Sequence, residues 1–157
     1  MATEDVKKEN LLRMTELSLE VLAAEVWDTL GESAIVLGKG MGDSILEMLQ
    51  KEEGFEFEGE STKEIAAEIK RIFLDELGFA KDIETEIAPD GKAIITVNSC
   101  INTKFTDRML ASGVKMNYTC PIMLTASTVL RKMGSKGRVS IERWPEGKGC
   151  KIHFLPL

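Results

Sequence analysis

The spacing of apolar residues changes period several times along the chain, and each change marks an element. Leu12, Leu19, Leu22, Ala23, Val26, Trp27 and Leu30 fall close to a 3.6-residue repeat, which predicts an amphipathic helix over 11–30 with a broad buried stripe, stopped by Gly31. In the following SAIVLGKGMGDSILEMLQKEEG, Ile45, Leu46, Met48 and Leu49 again suit a helix capped by Gly54, while the front half reads ambiguously. Ser61 followed by Glu64 has capping-box spacing, and Ile65, Ile69, Ile72, Phe73 and Leu77 repeat at helical intervals until Gly78.

The period then drops to two. Ile83 and Ile87 alternate with Glu84 and Glu86, Pro89-Asp90-Gly91 forms a turn, and Ala93 to Val97 returns as the second strand of a hairpin. Residues 98–119 mix Asn98, Asn102, Thr103, Thr106 and Asn117 with a short helix near 106–111, a candidate functional loop. From Cys120-Pro121 the apolar Ile122, Leu124, Ala126, Val129, Leu130 and Met133 predict a helix ending at Gly134. Gly137 to Arg143 and Lys151 to Leu155 flank Pro145-Glu146-Gly147 as a second hairpin. The expected class is α+β: N-terminal helices packed on an antiparallel sheet made of two β-hairpins, with a helix between the hairpins. A single domain over 1–157, with a polar N-terminal arm over 1–10, accommodates these elements.

Apolar residues at 43% and charged residues at 29% are globular values. The start lacks the apolar core of a signal peptide, and no apolar run approaches the ~20 residues of a membrane span, so a cytoplasmic protein is expected. The net charge of −6 hides an asymmetry: residues 1–90 carry 23 acids against 9 bases, and residues 91–157 carry 3 against 11. That contrast suits either a basic face for an anionic ligand or two halves that neutralise each other. With scattered bases and 6% aromatic residues, no nucleic-acid partner is expected.

Gly38-Lys39-Gly40-Met41-Gly42 lacks both the dinucleotide and the Walker patterns; close packing of helices at these glycines is the better reading. Cys100, Cys120 and Cys150 lack the paired spacing of zinc fingers. They are open to three readings: buried side chains, a reactive thiol, or a metal site. Each lies beside an element boundary, and such boundaries converge in an α+β fold. Cys120 at a helix N-terminus is expected to have a lowered thiol pKa, with Glu142 or His153 as a fourth metal ligand. Cys150 and His153 point to opposite faces of a regular strand. His153, the only histidine, has no nucleophile motif beside it. Met109, Met116 and Met123, together with Tyr118, are candidate walls of an apolar ligand pocket in which Tyr118 and Asn117 orient the ligand.

The stretches LGKGMGDSILEMLQ, STKEIAAEIKRIFLDELGF, YTCPIMLTASTVLRKMG and VSIERWPEGKGCKIHF resemble the superfamily that joins four-vinyl-reductase (hydrocarbon-binding) domains to subunits of the TRAPP transport-tethering complex. A more distant similarity is to haem-based nitric-oxide sensors. The resemblance implies a structural zinc ion, with Cys120 as the helix-leading ligand, Glu142 as the glutamate and Cys150 as the last cysteine. The family's E-x2-C cysteine is replaced here by Pro145, and Cys100 is a substitute ligand. It also implies a non-catalytic, homodimeric domain that binds a hydrophobic or aromatic small molecule. A protein–protein assembly module is the alternative, and a small metal-dependent enzyme the third reading.

Overall fold

A computed structural model describes residues 2–157. Helix α1 spans Glu4–Leu30; Thr3 caps it by accepting from the Val6 amide, and Gly31 leaves the helix at φ 56°. Met1 of the expected N-terminal arm lies outside the described residues, and the remainder of that arm from Glu4 onward is helical. A short 3-10 turn, Gly31–Val36, leads into α2, Leu37–Lys51. Helix α3, Thr62–Lys70, begins with the predicted capping box: Ser61 Oγ accepts from the Glu64 amide at 3.3 Å, and Glu64 Oε2 accepts from the Ser61 amide at 3.0 Å. A wider π-type turn over Arg71–Glu76 prolongs it, and the chain turns at Gly78 with φ 62°.

Strands β1 (Asp82–Ile87) and β2 (Ala93–Asn98) form the first hairpin. Helix α4 (Thr103–Ala111) and helix α5 (Pro121–Lys132) follow, and β3 (Gly137–Trp144) and β4 (Gly149–Pro156) form the second hairpin. The sheet order is β1-β2-β4-β3 with every pairing antiparallel, so the hairpins join through β2 and β4. The architecture is the α+β class that the sequence predicts.

Register sorts the residues of the sheet. Ile83, Val97, Ile95, Cys150, Ile152, Phe154 and Ile141 share the inner face, where they join Leu46, Ile65, Ile69, Phe73 and Ile122 in the main core. Glu84, Thr96, Lys151, His153 and Glu142 lie on the outer face by the alternation of side chains along a strand. A second, smaller core of Ala23, Trp27, Ala34, Met109, Val114 and Tyr118 fastens the C-terminal half of α1 to the body.

The broad buried stripe expected on α1 is not covered within one chain. Only Ala23 and Trp27 are buried, whereas Leu12, Leu19 and Leu22 are 69%, 52% and 59% exposed. A 27-residue helix is ~40 Å long, and its N-terminal half extends past the elements it packs on. Periodicity reports which residues need cover and does not say whether the cover comes from the same chain.

Candidate functional site

Tyr118 stands where two apolar cavities meet. Its backbone is held in a tight loop after α4: the Asn117 side-chain amide donates to Thr106 Oγ1 at 2.8 Å, and Asn117 Oδ1 accepts from the Thr119 amide and hydroxyl. The Tyr118 ring stacks on Trp27 at 5.9 Å between centroids, and its hydroxyl donates to the Ala23 carbonyl at 2.8 Å. Both polar groups expected to orient a ligand are therefore committed to protein partners. They shape the wall instead.

One cavity, of about 480 Å³, lies between α1, α2 and α4, with Leu19, Leu22, Leu37, Met41 and Phe105 among its walls. The other, of about 470 Å³, lies between α2, α5 and the β3–β4 edge. Met116, Tyr118 and Met123 line this second cavity together with Leu124, Val139 and Phe154. Met109, the fourth residue expected there, is fully buried in the small core beneath α1 and is in the walls of neither cavity.

Cys100, Cys120 and Cys150 come within electrostatic reach of one another at the inner edge of the sheet. Cys150 pairs with Val97 and Arg143 across its two neighbouring strands, the Cys100 amide donates to the Lys148 carbonyl at 3.1 Å, and Cys120 is the residue before α5. All three are free thiols. The lowered pKa expected for Cys120 is reversed. Burial pushes that thiol up to about 12, outweighing the Met123 and Ile122 backbone donors at the helix start, and the other two sulfurs raise it further. Cys150 is pushed up to about 11, chiefly by burial and next by Cys100. Cys100 is raised as well, again by burial first. Thiols held in this range are protonated near neutral pH and are poor nucleophiles.

The proposed fourth ligands do not join the sulfurs. Glu142 pairs with Lys151 and His153 with Ser140, placing both on the outer face, where His153 Nε2 sits 3.1 Å from Glu142 Oε1. Glu142 therefore meets the same facial objection as His153. Among the described residues no three His, Cys, Asp or Glu side chains are placed to hold a metal ion. The three thiols are neighbours but, as placed, do not form a metal-holding set, and neither Glu142 nor His153 completes one.

The residue that composition and motif overlooked is Arg143. Its Nε donates to Asp107 Oδ1 at 2.6 Å, Nη2 to Asp107 Oδ2 at 3.2 Å, and Nη1 to the carbonyls of Trp144 and Gly149 at 2.8 and 2.6 Å. The guanidinium lowers Asp107 and works against the upward shift of Cys100 and Cys150. A signal was available: Arg143 is two residues from the buried Ile141, so a regular strand puts it on the inner face.

Residues 14–157 match the family described as "Putative rubredoxin C-terminal domain". The chain belongs to that family. No curated protein matches it. The fold of this rubredoxin C-terminal-type domain is similar to that of trafficking protein particle complex subunit 3 from Naegleria fowleri, a structure covalently bound to palmitic acid. Identity is 16%, coverage is 94% of this chain and 93% of that one, and the TM-score is 0.60. It is also similar to the phenol-responsive sensory domain of the transcription activator PoxR, solved with phenol. There identity is 15%, coverage 90% and 74%, and the TM-score 0.55. The expected likeness to the transport-complex superfamily thus holds at the level of the fold. No helix among the described residues is long and apolar enough to cross a membrane.

Proposed function

We propose that this chain is a non-catalytic, cytoplasmic domain, single over 1–157, that binds a hydrophobic or aromatic small molecule between α2, α5 and the sheet edge. The observation that carries this reading is the 470 Å³ cavity with Met116, Tyr118 and Met123 in its walls. That volume falls within the ~300–1,000 Å³ of small-molecule sites, and flexible methionines let such a wall adapt to its occupant. Similar folds holding palmitic acid and phenol agree with this use. Calorimetric titration with 1-octanol and with phenol tests it: binding is expected in the wild type and lost in Met123→Trp, which fills the cavity. Binding unchanged by that substitution refutes the site.

In this reading the uncovered stripe of α1 packs on a second copy of the chain, making a homodimer. The same stripe favours the alternative, an assembly module whose partners are other proteins. Copurification of a lipophilic molecule separates the first from the second.

A structural zinc, the part of this reading drawn from the family resemblance, would require Cys100, Cys120 and Cys150 to draw together around the ion, since as placed they form no metal-holding set. Zinc thiolates require deprotonation, and a metal supplies the charge that makes it favourable in a buried site. Native mass spectrometry is expected to find one zinc per chain. A zinc-free chain of undiminished stability removes the metal from this account.

A further inference from the structure

We infer that the cavity between α2, α5 and the sheet edge selects hydrophobic molecules carrying an anionic head, of which a carboxylate is the simplest. This deepens the reading above and rests on it. Three of the residues around that cavity, Lys39, Arg131 and Lys136, are cations, and no aspartate or glutamate lines it. They come from separate elements: Lys39 from the first turn of α2, Arg131 from the last turn of α5, and Lys136 from the turn before β3. Arg131 Nη2 is engaged by Asp43 Oδ1 at 2.7 Å. Among the described residues Lys39 and Lys136 take part in no ion pair. Both line the cavity and are exposed, the setting in which a lysine stem covers apolar wall while its ammonium group stays in water.

The cavity between α1, α2 and α4 supplies an internal contrast. It is as large and as apolar in its walls, but the one charged residue lining it is Glu16. An anionic amphiphile is repelled there and attracted at the lysine-bearing mouth, whereas an uncharged molecule has no electrostatic reason to choose. Ser135 also lines the cationic cavity and its hydroxyl can donate to a head group held near it, whereas the Ser127 hydroxyl already donates to the Leu124 carbonyl at 3.0 Å.

Octanoate and 1-octanol share a tail and differ in head charge, so calorimetric titration of both into the wild type, a Lys39→Ala/Lys136→Ala variant and Met123→Trp tests the inference. Octanoate is expected to bind the wild type about tenfold more tightly than octanol, with the advantage lost in the double-lysine variant, as suits charge-assisted contacts at a partly wet mouth. Added salt should weaken octanoate and leave octanol unchanged. Equal affinities for the two molecules, or octanoate affinity unaltered by the lysine substitutions, overturn the inference and leave the cavity intact as a site. Absence of binding by both molecules, or octanol binding that survives Met123→Trp, overturns the cavity reading itself and the inference with it.

Discussion

Cys120 shows two opposing influences on one atom. Helix-start N–H groups favour a thiolate, but with the sulfur buried and two further thiols near it, the neutral form wins. Because the folded-state pKa is raised, the stabilisation is fully present below the ordinary thiol pKa of about 9 and is lost as pH rises toward about 11 to 12. The denaturant midpoint of the metal-free protein is therefore expected to hold through pH 8 and fall steeply between pH 9 and 12. Cys120→Ala should flatten that fall. Gly42 is a second position where one atom decides. A Cβ there would collide with Thr128 Oγ1 and approach the Leu124 carbonyl oxygen to 2.9 Å, so α2 and α5 are in contact because this residue has no side chain. Gly42→Leu is expected to cost about 1–3 kcal/mol, or more if the helices cannot separate, measured by chemical denaturation. The sequence reading of these glycines as packing devices agrees with the contacts at Gly42 and Gly38, whereas a Cβ at Gly40 would meet open space.

Among the elements, α1 is the one whose apolar residues exceed what the body covers. Leu12, Leu19 and Leu22 remain exposed, and Leu19 and Leu22 stand in the walls of the 480 Å³ cavity. Contiguous apolar surface of this kind is a mark of association. Sedimentation at increasing concentration is expected to reveal a dimer, and Leu19→Glu should shift it toward monomer without lowering the monomer's stability, since that side chain is not in the core. A wild type that stays monomeric at high concentration would refute the homodimer. The same helix explains a limit of periodic patterns. The stripe of α1 was legible, and so were the capping box of α3, the proline start of α5 and both hairpin turns, because each depends on residues a few positions apart. Which stripe faced the body depended on how far the other elements reached.

For the whole molecule, part of the charge asymmetry is met by contacts between its halves. Arg108 pairs with Glu20, Lys115 with Glu32 and Arg131 with Asp43, each joining a base after residue 91 to an acid before it. These are surface pairs worth up to ~1 kcal/mol each, so they align the halves more than they stabilise them. Among the charges outside these pairs are Lys39 and Lys136 at one cavity and Glu16 in the wall of the other.

The sequence by itself determined the element order, the α+β class, the turns and the residue types available for a pocket, since period, caps and turn chemistry act over short separations. The convergence of the three cysteines was also within reach, because all sit where elements end. Only the tertiary structure decided which side of the sheet each candidate occupies, and so parted Glu142 and His153 from the sulfurs, buried Met109 and enlisted Arg143. Strand register and helix overhang decide these outcomes. Both are settled by packing between residues distant in the chain, where a shift of one position exchanges inside for outside.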